Sequence, residues 1–171
     1  MICNGSIEVV VTSLITPRRA LYIEDMRNVV PNLRVIKSIN GFNKSEVLQA
    51  LTTSNLRFHR LCRGHNYWGM LASLLTRHYA FSTQTADFQV LLEDDLHLKA
   101  SFWPFINSMI KAHFCGGPPL KGQVCKEGHI SIPCFVRPPD IVQMNRFAEA
   151  YVTSRAGAKI LAQKVRQYGV R

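Results

Sequence analysis

The stretch Phe88-Gln89-Val90-Leu91-Leu92-Glu93-Asp94-Asp95 decides how this chain is read. Phe88 to Leu92 is a nearly continuous apolar run, without the polar alternation of a half-solvated strand, as expected for a strand buried on both faces of a mostly parallel sheet. It ends in three consecutive acids. Adjacent carboxylates repel one another, and either a cation or a protonation event relieves the repulsion. Open α/β sheets take ligands beyond the carboxyl ends of their strands, where Glu93, Asp94 and Asp95 are expected to sit. Their hard oxygens suit Mg²⁺ or Mn²⁺, ions that keep positions open for substrate phosphates. The alternative is a solvated acidic turn that caps the segment after it.

Working outward, Ser6 to Thr12 is β-branched and apolar and reads as a first strand. A loop with Pro17, Arg18 and Arg19 follows it. Leu21, Ile23, Met26 and Val29 then mark an amphipathic helix closed before Pro31. A short strand from Leu33 to Ile36 leads to the Asn40-Gly41 turn pair, and Asn43 with Glu46 resembles a helix cap ahead of Val47, Leu48 and Leu51. Residues 66–80 carry Tyr67, Met70, Leu71, Leu74, Leu75 and His78 at helical spacing. Residues 100–113 predict another helix, with Pro104 tolerable in its first turn. Residues 114–140 hold five of the eight prolines and four of the ten glycines, so that section is irregular, with short strands at most around 130–132 and 134–136. Ala150-Tyr151-Val152 reads as a last strand and 155–168 as a last helix. Strands alternating with helices predict an α/β three-layer domain.

The 171 residues leave room for one domain with a real core, and 47% apolar with 19% charged residues excludes a disordered or collagenous chain. The formal charge of +10 points to an anionic partner such as nucleic acid, anionic lipid or a phosphorylated ligand. That charge is dispersed, +6 over residues 1–85 and +4 over 86–171, so no basic arm is present. The exception is acidic: four of the eleven acids, Asp87, Glu93, Asp94 and Asp95, fall within nine residues.

Five cysteines without a C-x-x-C pattern give neither a disulfide framework nor a zinc ribbon. A zinc site from His113, Cys115, Cys125, His129 and Cys134 fits no standard finger spacing, which leaves scattered thiols and loop histidines as the plainer reading. Met1-Ile2-Cys3-Asn4-Gly5-Ser6 lacks the charged and apolar regions of a secretory signal, and no run approaches the roughly 18 apolar residues of a membrane span. The expectation is a cytoplasmic chain without a transmembrane segment. A secretory lumen applies if a targeting segment lies outside this sequence, and only there do the sequons at Asn4 and Asn43 matter.

Three blocks, in order, carry a resemblance. Val90-Leu91-Leu92-Glu93-Asp94-Asp95 is similar to a V-L-E-D-D signature. Leu61-Cys62-Arg63-Gly64-His65-Asn66-Tyr67-Trp68 is similar to a G-C-x-x-S-H segment before an aromatic-rich helix, with Gly64 in place of the serine. Ala150-Tyr151-Val152-Thr153-Ser154-Arg155-Ala156-Gly157-Ala158-Lys159-Ile160-Leu161 is similar to A-Y-x-x-S-x-x-G-A-x-x-L. Over residues 8–165 the chain thus resembles glycosyltransferase family 25, which includes bacterial lipooligosaccharide sugar transferases and collagen galactosyltransferases. The family usually continues beyond the point where this sequence ends.

The resemblance implies a GT-A type, Rossmann-like α/β/α domain over 1–171, with 1–98 as the nucleotide-sugar half and 99–171 as the acceptor-side half. It implies a metal-dependent hexosyltransferase, inverting, using a UDP-sugar and a hydroxyl acceptor on a glycan, lipooligosaccharide or protein. Mn²⁺ or Mg²⁺ would bridge protein carboxylate and diphosphate. Asp95 is then the first metal ligand, Glu93 serves the ribose or a metal-bound water, and Asp94 is a second ligand or a structural acceptor. Arg18, Arg19 and Arg63 would meet the diphosphate near helix N-termini, or else are plain surface charge. His65 would contact the donor, or caps a helix. Inversion needs a general base. Asp140 is the candidate, although a helix cap for residues 141–146 explains it as well, and Glu127 and Glu149 are the other carboxylates in that half. Tyr151 and Arg155 would line the acceptor side, or are a core aromatic and a surface arginine. Two other classes stay open: a glycosyltransferase-like binding domain without turnover, and a nucleic-acid module using Arg57 to Arg63.

Overall fold

The computed structural model describes residues 5–56, 67–115 and 150–168, together with the backbone of 141–143. In chain order the elements are β1 (Ile7–Ser13), α1 (Pro17–Val29), β2 (Arg34–Lys37), α2 (Lys44–Ser54), α3 (Tyr67–Ser82), β3 (Phe88–Glu93), α4 (Phe102–Phe114), β4 (Ile141–Gln143), β5 (Ala150–Ser154) and α5 (Arg155–Tyr168). The strands form one sheet in the order β2-β1-β3-β5-β4. β3 is the centre. Phe88 to Leu92 are all buried, as the unbroken apolar run predicts.

Because side chains alternate across a strand, the same residues serve two cores. Val9, Val11, Val90, Leu92 and Val152 pack on one face against Ile23 and Met26 of α1 and Phe102, Ile106, Met109 and Ile110 of α4. Val10, Ile36 and Leu91 pack on the other against Ala80 and Phe81 of α3, with Tyr151 beside them. A further apolar set, Val47 and Leu51 of α2 with Leu71, Ala72 and Leu75 of α3, extends that second layer and takes in Val165 of α5. The arrangement is helix, sheet, helix.

The sheet is mostly parallel, as expected: β1 pairs in parallel with β2 and β3, while β5 runs antiparallel to both β3 and β4, so one of the five strands is reversed in an otherwise codirectional sheet. Only six residues separate β4 from β5, and a parallel pair needs a crossover of about a dozen or more. Residues 141–143, expected as the start of a helix capped by Asp140, are instead β4. The Ile-Val pair at 141 and 142 favours the pleated ladder with β5. The short strands expected at 130–132 and 134–136 lie outside the described residues. No helix among the described residues is long and apolar enough to cross a membrane.

Local signals place the helix starts. Asn43 caps α2, its Oδ1 accepting from the Glu46 backbone at 3.3 Å; the Glu46 carboxylate in turn accepts from the Asn40 backbone at 3.2 Å, fixing the preceding turn. α1 begins a full turn before its apolar face does, with Thr16 as N-cap and Pro17 at the first position. Pro17 therefore starts a helix, for which its fixed φ and missing N–H suit it, and Arg18 and Arg19 stand in the first turn of α1.

α3 carries a buried titratable group. His78 is 5% exposed and its Nε2 has no hydrogen-bond partner. Burial holds its pKa below the ordinary 6.5, the positive charge of Arg166 adds to this, and a hydrogen bond with the Ala162 backbone opposes it. The folded state therefore favours neutral imidazole. Its contribution is fully present above the unfolded value and is lost as pH falls below it toward the lowered folded value. Melting temperature is expected to drop between pH 7.5 and 5.5, and His78→Gln should remove much of that drop; an unchanged pH profile would show that His78 takes up its proton equally in the folded and unfolded states.

Candidate functional site

The carboxyl ends of β1, β2 and β3 open on a cleft of about 460 Å³, the end of an α/β sheet at which ligands are expected. One wall starts from β1. The Ser13 carbonyl accepts from the Ser38 backbone at 2.6 Å, tying β1 to β2, and the Ser13 hydroxyl accepts from the Ile15 backbone at 2.9 Å. This tight turn puts Ile15 at φ 54°, a left-handed conformation that costs a β-branched residue about 1–3 kcal/mol. The turn delivers the chain to Thr16, whose Oγ1 accepts from the Arg19 backbone at 3.4 Å. Pro17 has no N–H and the Arg19 N–H is capped, so α1 presents to the cleft the Arg19 side chain more than backbone donors.

Arg19 faces the acidic strand end. Its Nη1 is 2.7 Å from Asp94 Oδ1 and 3.2 Å from Asp95 Oδ2. Arg77, from the cleft face of α3, puts Nη2 at 2.8 Å from Glu93 Oε1, and its guanidinium lies 5.3 Å from the centre of the Tyr151 ring. The repulsion inherent in three adjacent carboxylates is thus relieved by two guanidinium groups. Asp94 is the buried member, its side chain 11% exposed, whereas half of the Asp95 side chain is open to the cleft.

The opposite wall is the Asn40-Gly41-Phe42 turn and the first turns of α3. Asn40 Oδ1 accepts from the Phe42 backbone at 3.0 Å. Gly41 lies directly on the α3 backbone: a Cβ there would stand 2.5 Å from Gly69 Cα and 3.1 Å from the Trp68 carbonyl oxygen. Thr76 joins α3 to β2's exit, its hydroxyl accepting from the Ile39 backbone at 3.1 Å while donating to the Ala72 carbonyl at 2.8 Å. At the rim, Lys44 Nζ lies 5.8 Å from the centre of the Trp68 ring, and Phe42 is 97% exposed. The first turns of α1, α2 and α3 all border this space through Arg19, Lys44 and Trp68. Their dipoles favour an anion.

Of the residues expected in the site, Arg19, Glu93, Asp94 and Asp95 are gathered in this cleft. Arg18 is exposed beside it and does not line it. Tyr151 lies beneath Arg77; burial pushes its phenol pKa up, with Arg77 opposing and Glu93 adding. Arg155 is at the far end of the sheet, where it contacts the carbonyls of Ala86 and Thr85 and lies 3.6 Å from Asp87. It is not on the cleft. Arg63, His65 and Asp140 lie outside the described residues, as do Cys125, His129 and Cys134 of the zinc grouping; Cys115 is half-buried against the α1/α4 core. Among the described residues no group of three or more His, Cys, Asp or Glu side chains is placed to hold a metal ion. Arg77 and Thr76 are additions that the fold reveals; their only signal in the sequence is the polar i, i+4 pair Ser73 and Arg77, with Thr76 beside it, along one edge of an otherwise apolar helix. Compared with models of known protein families and with curated protein sequences, the chain matches none.

Proposed function

We propose that this chain is a metal-dependent glycosyltransferase domain of GT-A type, moving a hexose from a nucleotide-sugar, a UDP-sugar by its resemblance to family 25, to a hydroxyl acceptor. The observation that carries the reading is the Glu93-Asp94-Asp95 end of β3 facing Arg19 and Arg77 in a cleft bordered by three helix N-termini. Such a site pairs cation-binding oxygens with anion-binding groups, which is what a diphosphate bridged by a divalent cation requires.

The donor chemistry fits Mn²⁺ or Mg²⁺. Such ions need only one or two protein carboxylates and take phosphate oxygens and water for the rest, so a three-ligand protein cluster is not a requirement. Asp95 is the most accessible carboxylate oxygen donor of the triplet and is the expected ligand, with Asp94 or Glu93 as the second. When bound, the cation stabilises the negative charge that develops on the departing diphosphate. Arg19 and Arg77 supply fixed positive charge to the same group, and Tyr151 steadies Arg77 from below. Asp140 remains the proposed base for an inverting attack.

A second reading is favoured by one observation: each acid of the triplet already has an arginine on it. A domain of that kind binds a nucleotide through its arginines without a metal and without turnover. Incubation with a panel of nucleotide-sugars in Mn²⁺ separates the two. Slow release of the nucleoside diphosphate from one donor, abolished by chelation, is expected of the transferase; binding without release from any donor, alone or with candidate hydroxyl acceptors, would establish the other.

A further inference from the structure

We infer that Arg19 is a shared counter-ion, holding the acidic strand end when the cleft has no ligand and passing to the donor's diphosphate when a divalent cation takes its place on Asp95. The inference rests on the glycosyltransferase reading and adds to it a coupling between the two ligands of the site. Its basis is the geometry of one guanidinium nitrogen that touches Asp94 Oδ1 at 2.7 Å and Asp95 Oδ2 at 3.2 Å. Two like charges spanned by a single donor are the contacts that a cation binding there must disturb. The side chain is 37% exposed and lines the cleft, so it can reorient into the cleft without disturbing α1, whose cap is made by the Arg19 backbone.

Either ligand alone meets resistance. A cation arriving at Asp95 faces the positive charge of Arg19 a few ångströms away and must compete with it for the carboxylate. An anion that draws Arg19 away leaves Asp94, 8% exposed, buried without its counter-charge, which is costly. When both arrive together each offsets the other's penalty: the cation replaces Arg19 at the carboxylates, and the diphosphate replaces the carboxylates at Arg19. Arg77 has no such freedom, since it is sandwiched between Glu93 and the Tyr151 ring.

A bridging cation would couple the two ligands even without Arg19, so the decisive readout is the cation on its own. Mn²⁺ binding to the full chain, followed by loss of the free-ion electron paramagnetic resonance signal with no nucleotide present, is compared for wild type, Arg19→Gln and Arg19→Lys. Removing the competing charge should tighten Mn²⁺ about tenfold in Arg19→Gln, while Arg19→Lys, which keeps the charge, stays within about twofold of wild type. In calorimetry with UDP and Mn²⁺ together, Arg19→Gln should bind UDP at least tenfold more weakly than wild type. Opposite signs for the two ligands in one variant, with a circular-dichroism spectrum like wild type, are what exchange requires. Mn²⁺ affinity unchanged or weakened in Arg19→Gln, with UDP still bound by wild type, overturns the exchange and leaves the donor site standing. If Arg19→Gln does not fold, Arg19→Met, which keeps an apolar stem without the charge, decides by the same Mn²⁺ titration: binding about tenfold tighter than wild type supports the exchange, and unchanged or weaker binding overturns it. No UDP binding by folded wild type under any condition removes the glycosyltransferase reading and the inference with it.

Discussion

Asp95→Ala is expected to weaken Mn²⁺-dependent UDP binding by about a hundredfold or more while leaving the fold intact. The reasoning separates two roles within one acidic triplet. Asp94 is almost fully buried with Arg19 at 2.7 Å, so its truncation leaves a gap beneath the cleft and takes away the nearer of Arg19's two partners, damaging structure and site together. Asp95 is half exposed, and Arg19 keeps Asp94 as a partner when Asp95 is gone. Truncation there should change stability by no more than about 0.5 kcal/mol. Loss of a ligand that bridges to the diphosphate should exceed the roughly 10–100-fold seen when only a supporting contact of a metal site is lost. Titration calorimetry for binding and a thermal melt for stability check both halves; a large drop in melting temperature or intact UDP affinity would refute the assignment.

Gly41→Val is expected to have the largest effect on folding of any substitution at the cleft. The three atoms nearest to a Cβ at residue 41 are all backbone, with Gly69 Cα at 2.5 Å, Gly69 N at 2.9 Å and the Trp68 carbonyl oxygen at 3.1 Å. No side-chain rotation relieves a clash with a helix backbone. The Asn40-Gly41-Phe42 turn must lift off α3, at about 2–3 kcal/mol by the usual cost of overpacking. For a chain of this size that corresponds to a melting temperature lower by roughly 5–10 °C. Because Gly41, Phe42, Trp68 and Gly69 form one wall of the cleft, ligand binding should weaken in parallel. A variant that melts like wild type would mean that the turn and α3 are not in register as described.

How much of this was legible in the sequence follows from how local each signal is. The Phe88 to Leu92 run announced a strand buried on both faces because burial on both sides removes the need for polar alternation, and the acids after it marked the ligand end. Asn43 and Glu46 announced the start of α2 because capping is a contact between near neighbours. Pro17 misled, since the same fixed φ suits a loop and the first position of a helix; reading it as a loop put Arg19 outside α1. The resemblance puts Arg155 on the acceptor side with Tyr151. An antiparallel β5 carries the chain away from the cleft, so four residues take Arg155 to the Asp87 end of the sheet. β4 escaped because three residues give no periodicity to read. Arg77 escaped because its value lies in a contact with Glu93 sixteen residues away and with Tyr151 on another strand, and only the folded sheet creates those neighbours.

The dispersed charge of +10 also gains a more definite meaning at this site. Arg19 and Arg77 are spent on the only acidic cluster of the cleft among the described residues, so the net field there is set by balanced ion pairs more than by basic excess. A polyanion held by bulk charge would lose affinity steeply with salt, divalent salt included. A diphosphate held between Arg19, Arg77 and a cation on Asp95 would not.

The most direct measurement is calorimetric titration of the wild-type chain with UDP, once with Mn²⁺ and once with a chelator. A donor site built on Asp95 requires UDP to bind at least tenfold tighter with Mn²⁺ present. UDP affinity that is identical in the two titrations, or no UDP binding by a chain shown to be folded, would contradict it.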